Sequence, residues 1–157
     1  MIRLTVYTPK YYSVVSGAGI SRYPLVAFDE ALRKAGIGDY NLVEVSSVLP
    51  PACEYRECVD IPKGSVLYTA YAVCTVSEGQ VGSVAAAVAI PVSEHESGVI
   101  FHAAYPDLDA ELHVRNMCSE AMANRTRDIA QICSCGIKVY GRSEQYVCGF
   151  AGVVMWG

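Results

Sequence analysis

Residues 41–51 are Asn41-Leu42-Val43-Glu44-Val45-Ser46-Ser47-Val48-Leu49-Pro50-Pro51. Apolar Val43 and Val45 alternate with polar neighbours, which is typical of a strand. The two prolines that follow cannot donate backbone hydrogen bonds, so the strand must stop or reach a sheet edge near them. The pattern therefore places a serine pair at the end of a strand. A serine pair at a strand end is by itself a weak motif.

On the N-terminal side of this stretch, the pattern predicts two strands and a helix. Residues 2–8 and 12–16 alternate like strands, and Ser16-Gly17-Ala18-Gly19 predicts a glycine loop. A helix is expected to begin near Pro24, because Phe28, Ala31, Leu32 and Ala35 recur at helical spacing before Gly36.

On the C-terminal side, strands dominate. Runs of small and β-branched residues at 66–76 and 83–91, with a turn at 78–80, predict two buried strands, and 98–104 predicts a third. The chain is expected to close with strands at 136–141 and 145–156.

Between these strands the sequence predicts a second helix. It is expected to open at Pro106-Asp107 with Asp107 as N-cap. Its inward positions are predicted to be Leu108, Leu112, Met117, Cys118, Ala121 and Met122. Runs of strands with two separated helices favour an α+β fold, and 157 residues favour one domain, 1–157.

Composition narrows the classes of function. The hydrophobic fraction is 52% and the charged fraction 18%, which suits a well-buried protein and an oligomer with apolar interfaces. A net charge of −4 without a basic run disfavours nucleic acid as a partner. No segment has the roughly 18 apolar residues of a membrane span, and the N-terminus lacks the apolar core of a signal peptide, so we expect no membrane association and a cytoplasmic location.

The cysteines predict neither a disulfide framework nor a metal site. Their number is odd, seven, and without a secretion signal they are expected to be reduced thiols. Cys133 and Cys135 are too close together for the usual zinc knuckle, and no second pair has matching spacing.

Short blocks along most of the chain carry a family resemblance. They are Pro24-Leu25-Val26-Ala27-Phe28-Asp29-Glu30-Ala31-Leu32, Ala35-Gly36-Ile37-Gly38, Asn41-Leu42, Ser46-Ser47-Val48-Leu49-Pro50-Pro51, Thr69-Ala70-Tyr71, Val88-Ala89-Ile90-Pro91 and Gly98-Val99-Ile100. In this order and spacing they resemble the pyruvoyl-dependent arginine decarboxylases.

The resemblance implies a self-processed enzyme. It implies an αββα sandwich that is trimeric, or a dimer of trimers, with active sites between subunits. The chain would cleave itself into a β chain, 1–46, and an α chain, 47–157. Ser47 would become a covalent pyruvoyl group, and neither a metal nor pyridoxal phosphate would be needed. The enzyme would convert arginine to agmatine and carbon dioxide through a Schiff base to that group, in polyamine synthesis or in acid resistance.

The cleavage chemistry can be written from the bonds. The Ser47 hydroxyl attacks the Ser46 carbonyl and converts the amide to an ester. β-Elimination then splits the ester and leaves dehydroalanine, which hydrolyses to the pyruvoyl group. Backbone strain and donors aimed at the developing oxyanion would lower the barrier. By resemblance, Asn41 is expected to polarise this carbonyl, and Asp29 is expected to bind the guanidinium of arginine.

The chain departs from the family pattern at one catalytic position. Where the family carries a glutamate that donates a proton, this chain has His102. Three interpretations are open. His102 is itself the acid, since an unperturbed imidazole has a pKa of roughly 6.5. Alternatively, Glu94 or Glu96 supplies the acid. In the third, the protein is a non-catalytic or altered-specificity paralogue that keeps the fold and the ligand pocket.

Overall fold

The computed structural model describes residues 6–107 and 109–157. In this part of the chain two helices and nine strands are found. In chain order they are β1 (Tyr11–Ser21), α1 (Pro24–Lys34), β2 (Asn41–Glu44), β3 (Val48–Leu49), β4 (Glu54–Tyr55), β5 (Val66–Val76), β6 (Val81–Pro91), β7 (Gly98–Tyr105), α2 (Ala110–Asn124), β8 (Ile129–Tyr140) and β9 (Tyr146–Trp156).

The strands form two sheets. The five-stranded sheet has the order β2-β5-β9-β1-β4, and the four-stranded sheet has the order β3-β7-β6-β8. The long pairings are antiparallel, whereas the short edge strands β2 and β4 pair in parallel with β5 and β1. The consecutive strands β2 and β3 therefore belong to different sheets.

The two sheets pack face to face, and each carries one helix on its outer face. Helix α1 packs on β1 and β9 of the five-stranded sheet, and α2 packs on β6, β7 and β8 of the four-stranded sheet. The prediction of an α+β fold with helix layers covering sheets is confirmed. No helix in the described ranges is long and apolar enough to cross a bilayer.

Strand β6 is buried on both faces, which explains its unbroken apolar sequence. Val84, Ala86 and Val88 face the other sheet, while Ala85, Ala87 and Ala89 contact the layer that contains α2. The small alanine side chains allow α2 to lie close to the sheet. The strands predicted for 66–76, 83–91 and 98–104 are confirmed.

The predicted glycine loop at 16–19 is wrong, because β1 runs straight through it. A Cβ at Gly17 would collide with the Ala31 carbonyl of α1, and a Cβ at Gly19 would collide with the Ala27 carbonyl. These glycines therefore do not make a turn. They let α1 lie directly on the sheet.

The bounds of other elements also differ from the predictions. Of the strand predicted at 2–8, residues 2–5 lie outside the described residues, and 6–8 are not part of a strand. Strand β8 begins at Ile129 rather than at 136, because it pairs with the whole length of β6.

Helix α2 begins later than predicted. Its N-cap is Asp109, and Asp107 instead accepts a hydrogen bond from the Asp109 amide at 3.1 Å. Cys118 and Met122 are buried as predicted, but Leu112 is 58% exposed, and Leu108 lies outside the described residues.

The close approach of α1 to β1 leads to a stability prediction. Gly19→Ala is expected to lower the free energy of unfolding by about 1–3 kcal/mol, because the new methyl group meets helix backbone that cannot move aside. Gly136→Ala is the matched control: it is also a strand glycine, but its Cβ would meet the flexible Glu111 side chain. Chemical denaturation of both variants is the measurement, and equal effects would contradict the packing argument.

Candidate functional site

Residues 45–47 carry the chain from one sheet to the other. On the β2 side, the Val45 amide donates to the Thr69 carbonyl at 3.1 Å and continues the pairing with β5. On the β3 side, the Ile100 amide donates to the Ser47 carbonyl at 2.9 Å. The Ser46–Ser47 peptide is thus the point where the chain leaves one sheet and joins the next.

The register of β3 places His102 beside this peptide. Val48 pairs with Val99 and Leu49 with Gly98, so Ser47 stands opposite Ile100. His102 is two residues further along β7, so when this register is continued it is a diagonal neighbour of Ser47. Leu49 and Ile100 are buried between the sheets, so the face of β7 that carries Ile100 points into the sandwich.

The surroundings of His102 favour its neutral form. Burial lowers the pKa of His102 from its ordinary value of 6.5, and the nearby carboxylate of Glu44 raises it in opposition. The imidazole is half-buried, whereas Glu44, the last residue of β2, is exposed. Near pH 7 the side chain is therefore mainly uncharged.

A cavity of about 210 Å³ adjoins the serine pair. Its walls include Ser46 and the rings of Tyr7 and Tyr68, whose centroids are 4.9 Å apart, and the other walls are proline, valine and methionine side chains. The pKa of Tyr7 is raised, mainly by burial and then by the neighbouring Tyr68 and Cys53. Tyr7 is therefore a protonated hydrogen-bond donor at neutral pH.

Asn41 is not brought to the serine pair within one chain. It is the first residue of β2, and its side-chain amide donates to the Gly64 carbonyl at 2.9 Å. The strand carries the chain about 10 Å from Asn41 to Glu44 before Ser46 is reached. In this arrangement the amide stabilises the start of β2 rather than the serine carbonyl.

Asp29 is also distant from the serine pair in one copy. It is exposed on α1, which packs on β1 and β9, whereas β2 lies beyond β5 at the edge of the sheet. Within residues 6–107 and 109–157, no hydrogen bond or ion pair to its carboxylate is found.

Glu94 and Glu96 precede the residues of β7 that pair with β3, whereas His102 follows them. They belong to the connection that precedes β7, and they line a separate cavity of about 140 Å³ with Pro50 and Cys53. The geometry thus favours His102 over either glutamate as the titratable side chain nearest Ser47. In the described part of the chain, no group of three or more His, Cys, Asp or Glu side chains is arranged to hold a metal ion.

Three residues of this region were not anticipated from the sequence. Tyr7 and Tyr68 are two of eleven tyrosines, and nothing in the sequence distinguishes them from the other nine. Glu44 looks like the solvent-facing residue of an alternating strand. Only the path of the chain between the sheets brings these residues near the serine pair.

The family model described as pyruvoyl-dependent arginine decarboxylase matches residues 11–151. A protein of that name from Methanococcus maripaludis is 37% identical over 152 residues, covering 94% of this chain and 91% of its own. Its namesakes from Methanocaldococcus jannaschii and Methanopyrus kandleri are 34% and 35% identical, covering 94% and 95% of this chain and 90% and 98% of their own. Since the family model and these relatives span nearly the whole length, the chain belongs to the pyruvoyl-dependent arginine decarboxylase family.

Proposed function

We propose that this protein cleaves itself between Ser46 and Ser47 and decarboxylates arginine to agmatine. The observation that carries the proposal is the position of the serine pair, at the crossing between the sheets, with His102 on the same face as Ser47. Family membership supplies the reaction, and the relatives' name supplies the substrate.

The residues around Ser47 fit conversion to a pyruvoyl group. Ser47 is half-buried and its carbonyl is fixed by the Ile100 amide, so its position can be kept when the peptide before it is broken. Once formed, the group supplies an electrophilic carbonyl that binds the substrate amine and accepts electrons as carbon dioxide leaves. In this proposal His102 holds the proton that replaces the carboxylate.

One copy of the chain does not complete this site, which supports an oligomer. Apolar side chains are exposed both beside Asp29, at Leu25 and Val26, and beside the serine pair, at Val43 and Val48. Apolar surfaces of this kind favour burial against another copy. A second copy that docks α1 against the β2–β3 crossing would bring its Asp29 to the Ser47 of the first. We propose that this assembly is the trimer implied by the family.

Asn41 keeps its proposed role only if its amide leaves Gly64. The bond is on an exposed edge strand, where water can replace the amide at the Gly64 carbonyl. The role therefore depends on a rearrangement before cleavage or on contact with another copy.

A second function has one observation in its favour. Burial lowers the pKa of His102, so only a small share of the His102 imidazole is protonated at pH 7. That is the property expected of a paralogue that cleaves itself and binds a ligand but does not protonate a product efficiently.

Self-cleavage is tested by mass. The protein is expected to give two fragments, 1–46 and 47–157, with the larger blocked at its N-terminus, when measured under denaturing conditions. Ser47→Ala should remain one chain with an unchanged circular dichroism spectrum. Ser46→Ala is the matched control, since it keeps the attacking hydroxyl and should still be cleaved. A single intact chain from correctly assembled wild-type protein would refute the proposal.

The role of His102 is tested by pH. If the protonated imidazole is the donor, decarboxylation of arginine should increase as the pH falls, with a midpoint below 6.5, because burial lowers the pKa. His102→Gln should reduce kcat by about 10²- to 10⁴-fold without preventing cleavage. Glu44→Gln should move the midpoint lower still, since the carboxylate raises the pKa of His102.

Two results separate the alternatives. Glu54→Gln, at the opposite edge of the five-stranded sheet, is the control for Glu44→Gln and should leave the midpoint unchanged. If cleaved wild-type protein releases no carbon dioxide from arginine while the His102→Glu variant does, the protein is the paralogue that cleaves itself but does not decarboxylate arginine.

The two-copy site is tested by mixing inactive variants. Asp29→Asn and Ser47→Ala should each be nearly inactive alone, the first through a raised KM and the second through the missing prosthetic group. Coexpressed in mixed oligomers, they should recover part of the activity, because some sites combine Asp29 of one copy with Ser47 of another. Glu30→Gln, the neighbouring carboxylate on α1, should retain wild-type KM. If the mixture shows no recovery although mixed oligomers form, Asp29 and Ser47 act within one copy.

A further inference from the structure

The cavity beside Ser46 has a composition that restricts its chemistry. Apart from the hydroxyl of Ser46 itself, the hydroxyls of Tyr7 and Tyr68 are the side-chain hydrogen-bond donors in its walls. The remaining walls are apolar side chains, including Pro9 and Met155. A hydroxyl in such a cavity can donate a hydrogen bond to a developing negative charge.

Self-cleavage develops negative charge at Ser46. The Ser46 carbonyl oxygen becomes an oxyanion when the Ser47 hydroxyl attacks, and a carboxylate when the ester is split. The Asn41 amide, expected from the sequence to serve this oxygen, is bonded to the Gly64 carbonyl at 2.9 Å. In the arrangement observed, the Ser46 carbonyl therefore does not receive the Asn41 amide.

Tyr7 has the features of a donor for the Ser46 carbonyl. Its ring is half exposed and is held against Tyr68 with an interplanar angle of 30°. Because burial and neighbouring groups raise the pKa of Tyr7, its hydroxyl keeps its proton across the neutral range. Tyr68 lies in strand β5, with its ring packed against the core between the sheets.

We propose that the Tyr7 hydroxyl donates a hydrogen bond to the Ser46 carbonyl oxygen during self-cleavage, with Tyr68 holding the Tyr7 ring in place. This inference rests on the proposed function, because it needs cleavage at Ser46–Ser47. It assigns a catalytic donor for maturation to a segment that precedes the first strand.

The steps balance without an external oxidant or reductant. The Ser47 oxygen forms a bond to the Ser46 carbonyl carbon, and the carbon–nitrogen bond breaks, with the hydroxyl proton passing to the amine. Loss of the Ser47 Cα proton then breaks the bond between Cβ and the ester oxygen and releases Ser46 as a carboxylate. Water hydrolyses the remaining dehydroalanine to the keto group and ammonia. Tyr7 stabilises the oxyanion of the first step and the carboxylate of the second.

The test is the rate of cleavage of newly made chain. Wild type, Tyr7→Phe and Tyr68→Phe are produced by cell-free synthesis, and the intact and cleaved masses are followed with time. Removing an oxyanion donor from an enclosed site costs about 10²- to 10³-fold. This cavity is open to water, which can replace the phenol in part, so we expect Tyr7→Phe to slow cleavage about 10- to 100-fold. Tyr68→Phe keeps the ring contact and should cleave at close to the wild-type rate.

The other outcomes contradict the proposed role of Tyr7. Cleavage of Tyr7→Phe at the wild-type rate removes Tyr7 as a donor. Equal slowing of both variants, together with equal losses of melting temperature, attributes the effect to packing of the two rings. If the wild-type chain itself is never cleaved, the proposed function fails as well, whereas normal wild-type cleavage with an unaffected Tyr7→Phe sinks only the present inference.

Discussion

The structure depends on one constraint: the chain must pass from the five-stranded sheet to the four-stranded sheet within residues 45–47. Val45 and Ser47 are two residues apart, so the chain covers at most about 7 Å between them, and it crosses where β5 and β7 lie close together. The crossing is fixed at both ends, by the Val45 amide on Thr69 and by the Ile100 amide on Ser47. A segment that is hydrogen-bonded at both ends has little freedom to move, which fits the self-cleavage proposed for it.

The rest of the sandwich keeps this crossing in place. The alanines of β6 let α2 lie close to the outer face of the four-stranded sheet, and Gly17 and Gly19 let α1 do the same on the other side. Small residues thus lie under both helices, whereas larger side chains such as Ile100 and Met155 fill the space between the sheets. Because the two sheets are packed from both sides, the gap that the crossing spans cannot easily widen or close.

Helices and strands were predictable from the sequence where the spacing of the apolar residues was unambiguous. The strands 66–76 and 83–91 and the first helix follow from apolar runs and helical spacing alone. The second half of strand β1 did not, although its first half was predicted at 12–16. Gly17 and Gly19 suggest a turn when only the sequence is known, and their true role depends on a helix lying over them. The start of α2 was missed for a local reason: Asp107 caps the backbone of a turn before the helix, which resembles an N-cap in sequence.

Candidate site residues can be named from the sequence, but their arrangement cannot be predicted from it. Ser46, Ser47 and His102 carry recognisable chemistry, yet their proximity follows from the pairing of Leu49 with Gly98, which no sequence pattern specifies. Asp29 and Asn41 matched family positions equally well, but neither lies beside Ser47 in one copy. A match in sequence cannot distinguish residues that meet within a chain from those that meet between chains.

Burial of His102 bears on its proposed role as proton donor, at the position where the resemblance implies a glutamate. A permanently charged imidazolium beside the reacting centre would repel the guanidinium of arginine, whereas an imidazole whose pKa is lowered by burial is mainly neutral and does not. The same burial limits the supply of protons, and Glu44 opposes it by favouring the charged form. Substrate binding and proton donation thus place opposite demands on one side chain. A carboxylate at the end of β2 can meet both, since it adds negative charge near the site while raising the share of imidazole that carries a proton.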